Sequence, residues 1–598
     1  MNVFSTPSQK ANLSHNGFDM SNLLKFTSTT GELLPVYYDI LYPGDKMRMA
    51  TELKTRTMPL DSAAMVNITE HIDWFAVPVD QIISLFSAKF YNIKDIHSSV
   101  FTASLIDVEH LIPPIPSSTF NEFVTGVLDN SGEYYQDHYF NEDSYLSEFP
   151  TYACTQFRLF EFFGIPLLNR GSQAGITGGV YTTSISPLLP CVYQKIYFDY
   201  YRISDREVND PSSYNLDSSY NYAEYDDSEQ IFPLFTLRYR PAKRDFFTHQ
   251  FVSPVFSMSS PMSLGFPGSG SLSELFHNWY ASYQSAGEVM TNGASEIIGQ
   301  DDSVQAAVHL KSTSSGVGLT PTDIRTSFAL QKYLEVTRRA GKHIDAQTLA
   351  HFGVKPPKRV AGEVIHLGHH SQNISIGDVI STANTGQPVN GSLGAVGGKG
   401  YGYGKSKHFE YVNDEACPVV VMAIYSAEVD YDYALTGLDR LNSYFDRSDF
   451  YTPEFDNLGM QPIFGYQFRY FGGADPLATT HNSTRVGWQY RWMESKCKYN
   501  RILGSLSRSL YYWTAQRFNE PYAGKLPYFL VSPFALNAVL VTPYSFDGDV
   551  EKVAPFNVEE YGGSSTPSSL FGNDPLLHEL YFDVKKSSTM SNFGLEQL

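Results

Sequence analysis

The feature that most constrains this chain is an alternation of apolar and polar side chains over residues 66–78. A period of two is that of a β-strand with one buried face. Pro78 ends the run, because proline has no backbone N–H to give to a neighbouring strand. Glu70 is the single acid on the apolar face, and we expect it at a subunit contact or a strand edge. The apolar positions are Val66, Ile68, Ile72, Trp74 and Ala76.

Further strand patterns lie near the C-terminal end of the sequence. The apolar run over 419–425 predicts a buried strand, since seven residues are too few to cross a membrane. Strands at both ends, separated by long and partly helical segments, predict a mainly β protein, a β-sandwich with large insertions, rather than a row of βαβ units. The other alternating positions are Val486, Trp488, Tyr490 and Trp492, followed by Leu576, Leu580, Phe582 and Val584.

Helical spacing marks the segments between these strands. Apolar residues over 79–90 fall on one helix face. A helix is expected to start at Pro321, after the capping residue Thr320, and to end at Gly341, with a shorter helix over about 344–352. Less regular helices are predicted before Gly164 and within 187–207.

The predicted organisation is a polar N-terminal arm, one domain with two long insertions, and a polar C-terminal tail. The length of 598 residues allows about four domains of about 150 residues, but strands at both ends of the chain outweigh that estimate. Two low-complexity stretches lie inside the first insertion. The segments are 1–30 for the arm, 31–598 for the domain, about 95–325 and about 326–415 for the insertions, 205–230 and 255–322 for the low-complexity stretches, and 585–598 for the tail.

The composition favours a protein whose surface is covered by partners. Only 18% of residues are charged and 15% are aromatic, which is typical of contact surfaces. The formal net charge is −20, so any contact with nucleic acid must be local. The four cysteines are far apart and form neither a disulfide framework nor a zinc motif. No signal peptide and no membrane span are expected.

Residues 397–406 are rich in glycine and suggest a phosphate-binding loop. The spacing does not fit, because Lys399 stands where such a loop requires glycine. We therefore predict a mobile glycine loop, with backbone contact to a phosphate or to a partner chain as the alternative.

Three clustered histidines, His366, His369 and His370, suggest a metal site. A metal site usually adds a carboxylate or a cysteine and orients each imidazole through a second hydrogen bond. Only Glu363 and Asp378 are near these histidines in the sequence. We expect the histidines at an interface, and we predict no metal and no other cofactor.

Three basic clusters are candidates for contact with DNA phosphates, since aromatic residues that can stack on bases lie beside some of them. A solvated face or local ion pairs are the alternative explanation. Lys355, Lys358 and Arg359 are predicted to face DNA. The remaining clusters are Arg238, Arg240, Lys243 and Arg244, together with Lys496, Lys498 and Arg501.

Several short runs of residues, spread over most of the chain, match sequence runs of one protein family and occur in the same order as in that family. The most specific are residues 58–78 and Tyr193-Gln194-Lys195-Ile196-Tyr197. The others are Phe18-Asp19-Met20-Ser21, Pro43-Gly44-Asp45, Asp199-Tyr200-Tyr201-Arg202, Asp245-Phe246-Phe247-Thr248, and Leu330-Gln331-Lys332 to His351-Phe352-Gly353-Val354. These runs resemble the major capsid proteins of the Microviridae, the small tailless single-stranded DNA phages, and most closely their gokushovirus-like members.

The resemblance implies a single jelly-roll fold and a structural protein that is not an enzyme. It implies a subunit that assembles through pentamers into a T=1 icosahedral shell around a circular single-stranded DNA genome. The implied partners are further copies of the chain, the packaged DNA, a pilot protein, a small DNA-binding protein and a receptor on the host surface. The implied location is the virion, after synthesis and assembly in the bacterial cytoplasm. In gokushovirus-like members an insertion forms a protrusion at the three-fold axis, and the sequence leaves open whether 205–230 or 255–322 does so here.

A second function stays open on the residues alone. A monomeric β-sandwich that binds or cleaves carbohydrates would also use aromatic side chains and paired acids such as Asp430 and Asp432. It predicts a glycan-dependent shift in melting temperature, whereas a capsid subunit predicts assembly. Hydrolase and metalloprotease motifs are absent from the sequence, so no catalytic residue is predicted.

Overall fold

The structure is a computed structural model. It divides into two units. The first unit consists of Met1–Ser253 together with Gly341–Leu598, and the second unit is Pro254–Ala340. The described residues are 14–91, 111–129, 158–166, 181–216, 231–253, 290–291, 297–298, 321–380, 396–517, 529–539 and 574–591, without residues 61, 63, 85, 232, 435–436, 455–458, 471–477, 533–534 and 537–538. The predicted low-complexity stretches lie mostly outside them.

Strands dominate the described part of the chain. They are β1 (Asn16–Asp19), β2 (Asn22–Ser28), β3 (Leu34–Leu41), β4 (Lys46–Thr57), β5 (Ile68–Pro78), β6 (Met290–Thr291), β7 (Ile297–Ile298), β8 (Ile365–Ile380), β9 (Val396–Lys405), β10 (Phe409–Val412), β11 (Val419–Val429), β12 (Asp432–Ala434), β13 (Met460–Phe464), β14 (Arg485–Tyr490), β15 (Arg501–Ile502), β16 (Gln516–Arg517) and β17 (Leu576–Ser588). β6 and β7 belong to the second unit and pair with each other.

Ten strands of the first unit form one antiparallel network that curls into two layers. Its order is β1-β17-β4-β9-β8-β5-β11-β3, with β2 also beside β17 and β10 beside β4. β8 is shared between the layers, because residues 365–374 pair with β5 and residues 375–380 pair with β9. β17 pairs with β4 from Leu576 opposite Thr57 to Ser587 opposite Lys46. The core of the fold therefore requires both ends of the chain.

Aromatic side chains pack between the two layers. The Trp74 ring of β5 contacts Phe582 of β17 edge-on, with the centroids 5.7 Å apart, and lies 5.8 Å from Phe409 of β10. Tyr37 of β3 lies 5.0 Å from the same Phe582 ring. The inward face of each layer is therefore buried, as the packing of two sheets in a sandwich requires. The predicted mainly β fold, a β-sandwich with long insertions, is confirmed.

Glu70 lies in the middle of this core, so the expected subunit contact or strand edge is wrong. Its strand β5 runs between β8 and β11, and the side chain is buried. The carboxylate accepts hydrogen bonds from Thr55 (2.7 Å), Tyr425 (2.8 Å) and Gln372 (2.6 Å), and His578 Nδ1 lies 3.3 Å away. Burial acts to raise the pKa of Glu70, but the hydrogen bonds and the charge of His578 outweigh it and lower the pKa. Glu70 is thus a charged group that the core satisfies.

The predicted mobile glycine loop is wrong, because residues 396–405 form strand β9 between β4 and β8. Glycine and larger residues alternate along β9, and the glycines face the interior. A Cβ atom on Gly400 would lie 2.5 Å from Thr57 Cγ2 and 2.9 Å from Ile374 Cγ2. The neighbouring strands therefore leave space only for glycine, while Tyr401 and Tyr403 point to solvent.

Helices lie in the segments of the chain between the strands of the main sheet. Residues 158–162 are also helical, and a π-helical turn (Tyr197–Tyr201) follows α3. The α-helices are α1 (Phe86–Phe90), α2 (Ser117–Asp129), α3 (Leu188–Ile196), α4 (Pro321–Ala340), α5 (Ile344–Phe352), α6 (Gly465–Phe468), α7 (Ala478–Ser483) and α8 (Met493–Lys496). The 3₁₀ turns are Val79–Gln81, Pro211–Ser213, Arg440–Ser443, Arg447–Asp449, Gly504–Ser507 and Tyr511–Trp513. Within the described residues, no helix is both long enough and apolar enough to cross a membrane.

The helix predictions hold where glycine marks the end. α4 and α5 end before Gly341 and Gly353, whose φ angles of 82° and 74° are left-handed. The helix expected over 79–90 is instead split into a 3₁₀ turn and α1, although Ile82 and Phe86 on its apolar face are buried.

Parts of the predicted N-terminal arm and C-terminal tail are strands of the main sheet. β1 and β2 lie inside the expected arm 1–30 and pair with β17, and β17 continues through Ser588, past the predicted start of the tail at Lys585. Pairing with a distant strand supplies backbone hydrogen bonds that a polar sequence alone does not reveal. The division into one domain and two insertions stays a prediction.

Buried polar contacts hold inserted segments against the sandwich. The Tyr193 hydroxyl of α3 donates to the backbone carbonyl of Leu33 at 2.9 Å. Arg158 pairs with Glu32 at 3.0 Å and with Asp574 at 3.1 Å, and all three side chains are buried. The segments that carry Arg158 and Tyr193 are therefore packed onto the same core as the strands.

We predict that Gly400→Ala lowers the free energy of unfolding by about 1–3 kcal/mol, because the added methyl group overpacks the core against Thr57 and Ile374. Urea unfolding of the purified protein measures the change. Gly17→Ala in β1 is the matched control: a Cβ there meets nothing within 4 Å, so stability should stay equal or rise slightly. Equal losses in the two variants would contradict the packing argument.

Candidate functional site

The clustered histidines converge on Asp73, an acid that is distant in sequence. Asp73 of β5 is buried and accepts hydrogen bonds from His369 Nδ1 at 2.6 Å and from the Tyr201 hydroxyl at 2.7 Å. His366 Nε2 lies 3.5 Å away, and the Arg240 guanidinium lies 3.4 Å away. Sequence reasoning considered only nearby acids and missed this partner.

A β-bulge explains how His366 and His369 reach the same carboxylate. Trp74 pairs with Gly368 but Phe75 pairs with His366, so Leu367 is an extra residue in β8. The extra residue puts side chains three positions apart on one face, whereas a regular strand would separate them. His370 follows directly after His369 and points to the opposite face, where its ring lies close to Gly404.

The electrostatics of this cluster stabilise a negative Asp73. Burial acts to raise the pKa of Asp73, but hydrogen bonds from His366 and His369 and the charge of Arg240 outweigh it and hold the pKa well below its usual range. Arg240 also lies 3.6 Å from Glu428. The arrangement links β5, β8, β11 and the insertion that carries Tyr201, and it works as a structural charge cluster.

A group with possible metal-ligand geometry lies at the start of α5. His343, Asp345 and Glu363 bring ligand atoms within 4.8 Å of one another. However, Glu363 already accepts the backbone N–H of Ile344 at 2.6 Å, and Lys358 Nζ lies 3.5 Å from it. A carboxylate at a helix N-terminus with a lysine beside it is explained by capping and charge pairing.

The residues predicted to face DNA lie in the turn after α5. Lys355 and Arg359 are exposed, and Lys358 is half-buried. Arg359 pairs with Asp414 at 2.9 Å, and Lys358 lies 3.5 Å from Glu363. The role of Lys355, Lys358 and Arg359 at DNA stays a prediction.

The other two basic clusters contain ion pairs within the chain. In the first cluster Arg238 lies 3.2 Å from Glu207, and in the second Arg501 lies 3.3 Å from Asp439. Arg240 belongs to the Asp73 cluster described above. Ion pairs within the chain therefore account for much of the positive charge in these two predicted basic clusters.

Two groups of exposed apolar side chains lie outside the strands of the sandwich. On α5 and the turn after it, Phe352 is 82% exposed and Val360 is 71% exposed, and Ile344 and Val354 are also exposed. A second group includes Phe445, Phe450 and Tyr451. Apolar surface of this kind marks a protein interaction site. The fold and these surfaces define a β-sandwich protein with exposed apolar groups on α5 and around Phe445.

Comparison with known protein families identifies the family of this chain. The family model described as "Capsid protein (F protein)" matches residues 7–124 and 169–553. Because the match covers well over half of the sequence, the chain belongs to this phage capsid protein family.

Two relatives of this chain are named capsid protein VP1. Over 200 residues the chain is 27% identical to capsid protein VP1 of Chlamydia phage 1, which covers 33% of this chain and 32% of the relative. Over 218 residues it is 26% identical to capsid protein VP1 of Spiroplasma virus 4, which covers 35% of this chain and 37% of the relative. Each match thus spans about a third of the relative. The resemblance to Microviridae capsid proteins is confirmed.

We predict that Asp73→Asn lowers the free energy of unfolding by about 3–5 kcal/mol at pH 7, because Arg240 and the histidines lose a buried charge. The pKa of Asp73 is depressed in the folded state. The contribution of the ionised Asp73 side chain to stability is therefore fully present above about pH 3.9, the pKa of an aspartate in the unfolded chain. It decreases as the pH falls from there towards the lower pKa of the folded state. Urea unfolding at pH 7 and near pH 3 measures both effects.

Asp430→Asn is the matched control for this charge removal. Asp430 pairs with Lys243 at 3.2 Å on the surface, where the lysine side chain is 70% exposed. The loss should stay below about 1 kcal/mol. A similar loss in both variants, or a loss in Asp73→Asn that does not shrink in acid, would contradict the assignment.

Proposed function

We propose that this chain is the major capsid protein of a small phage, and that it self-assembles into a T=1 icosahedral shell around a circular single-stranded DNA genome. The observation that carries the proposal is the capsid family match over residues 7–124 and 169–553. The proposed jelly-roll connectivity is supported by the two-layer strand order in which β17 returns beside β2 and β4.

Assembly follows from the surface chemistry of the chain. With a net charge of −20, copies repel one another at long range, so contacts must come from apolar surface at short range. Phe352 and its exposed neighbours on α5 supply such surface. A shell subunit should bury far more than the roughly 1,600 Å² of a standard interface. We infer that the insertions supply most of the contact between subunits.

The remaining roles follow from the same proposal. The chain is a structural component of the virion and not an enzyme, made and assembled in the cytoplasm of a bacterial host. Its partners are other copies in pentamers, the packaged DNA, a pilot protein, a small DNA-binding protein and a host receptor. Lys355, Lys358 and Arg359 are candidates for contact with DNA.

We predict that the purified protein forms closed particles under virion-like conditions, and that Phe352→Asp prevents this because it places a charge in an apolar contact. Electron microscopy and analytical ultracentrifugation measure assembly. Val208→Asp is the control, since Val208 is 85% exposed but lies outside the two apolar groups. Urea unfolding should show that both variants fold.

A wild-type protein that stays monomeric would contradict the capsid proposal, and a melting temperature that rises with added glycans would favour the carbohydrate alternative. Normal particles from Phe352→Asp would remove α5 from the contact. Equal loss of assembly in Val208→Asp would show that the effect is not specific to α5.

We further propose that residues 255–322 contact the host. The support is their low-complexity composition between ordered segments. Replacing them with a short Gly/Ser linker should leave particles intact and abolish adsorption to host cells. Particle yield by electron microscopy and adsorption by residual infectious titre measure the two effects.

The control for this replacement is an insertion of the same linker after residue 253, with residues 255–322 retained. It should assemble and adsorb normally. Replacement particles that assemble and still adsorb would contradict the host role. A replacement that fails to assemble, but adsorbs when mixed into wild-type shells, would assign the stretch to assembly instead.

A further inference from the structure

The outward face of one sandwich layer has a composition unlike the rest of the chain. Strands β2, β17, β4 and β9 lie side by side, and register places their outward side chains in rows. The first row is Thr27, Leu577, Arg56 and Tyr401. The second is Lys25, Glu579, Lys54 and Tyr403. The third is Leu23, Tyr581, Glu52 and Lys405. We call these three rows the basic-aromatic face.

The charge of this face is opposite to that of the molecule. The whole chain has 63 acidic and 43 basic residues. The face instead carries Lys25, Lys54, Arg56 and Lys405 against two acids. Both acids have lysine partners: Glu579 lies 3.6 Å from Lys54, and Glu52 lies 3.9 Å from Lys405. Among the described residues, Lys25 and Arg56 have no carboxylate within 4 Å, so both cations are available to an anion outside the chain.

Aromatic rings lie beside these cations. Tyr401, Tyr403 and Tyr581 are each about half exposed. Tyr401 and Tyr403 are two residues apart on β9, so their side chains stand about 6.7 Å apart on the same face. Tyrosine rings in this arrangement offer flat surfaces on which bases of an extended strand can stack, and stacking does not depend on base identity.

A groove collects the cations and one ring. It has a volume of about 510 Å³, and Lys25, Lys54, Arg56 and Tyr401 line its sides. Phe26, Leu577 and Glu579 complete much of the lining. A phosphate in the groove would meet three cations, and the adjoining base would meet the Tyr401 ring.

We propose that the basic-aromatic face binds single-stranded DNA, with backbone phosphates at Lys25, Lys54 and Arg56 and bases on Tyr401 and Tyr403. The inference rests on the proposed capsid function and names the surface that would meet the genome. Binding would be independent of sequence, because the face offers charge and ring surface but few groups that could read base edges.

A second copy of the chain is the competing occupant, since an acidic protein could also cover a basic face. Two features favour DNA. Four exposed cations and three tyrosines share a face of only three rows, which is the combination that single-stranded nucleic acid sites use. The most exposed phenylalanines of the described residues, Phe352 and Phe445, instead lie away from this face, on α5 and in the loop before β13.

The test uses a fluorescent oligo-dT with the purified full-length protein below its assembly concentration. The variant is Lys25→Gln, Lys54→Gln and Arg56→Gln combined. Fluorescence anisotropy should show at least a tenfold loss of affinity, and the slope of log affinity against log salt should fall by about 2, because three phosphate contacts are lost. Tyr401→Ser with Tyr403→Ser should weaken binding about tenfold with an unchanged slope.

The matched control is Arg325→Gln, Arg447→Gln and Arg508→Gln combined, which removes the same charge at exposed positions outside the basic-aromatic face and outside the three basic clusters. It should leave affinity within about twofold of wild type. Equal losses in the two triple variants would show a general charge effect and overturn the proposal, as would a loss in the control alone. Urea unfolding checks that every variant folds.

Assembly is scored separately by electron microscopy of empty particles. If the basic-aromatic variant binds oligo-dT normally but no longer assembles, the face is a subunit contact and the DNA proposal is overturned. If wild-type protein never assembles, the capsid function fails, while the anisotropy result still decides whether this face binds DNA.

Discussion

The carboxylate of Glu70, buried between the two layers, is the interaction on which the sandwich depends. Its hydrogen-bond partners Thr55, Tyr425 and Gln372 and the neighbouring His578 come from β4, β11, β8 and β17. An uncompensated buried charge would cost several kcal/mol, so all these strands must be in register at once. A shift by one residue would turn each partner to the wrong face. The polar network therefore ties the two ends of the chain together more specifically than apolar packing alone.

A sandwich satisfied in this way can carry large insertions. Inserted segments such as residues 158–166 and α3 share its core, and buried contacts such as Tyr193 with Leu33 and Arg158 with Asp574 fix them in place. The apolar side chains that these segments expose, Phe352 among them, contribute nothing to the fold of the single chain. Apolar surface without a fold role costs solubility and is retained where another molecule covers it.

Charge is segregated on the molecule in a way that the net value conceals. The chain has a net charge of −20, yet cations and tyrosines dominate the outward rows of β2, β17, β4 and β9. Only the net field acts at distances well beyond a Debye length of about 8 Å, whereas contact is decided by local charges. An acidic subunit can therefore stay soluble and still offer one basic face to a polyanion. The sequence alone led to Lys355, Lys358 and Arg359, because these cations are neighbours along the chain. The cations of the basic-aromatic face come from strands that are distant in sequence.

The sequence by itself determined the elements whose signals are local. Alternation over 66–78 and 576–584 predicts strands, glycine marks the ends of α4 and α5, and the family runs identify the capsid family. Only the tertiary structure decided the partners of Glu70 and Asp73, the bulge that aligns His366 with His369, and the place of the glycines in β9. Each of these depends on which distant strand lies alongside. Gly400 is a poor strand former that becomes necessary only when Thr57 and Ile374 fill the space of its side chain, and pairing across hundreds of residues leaves no periodic trace in the sequence.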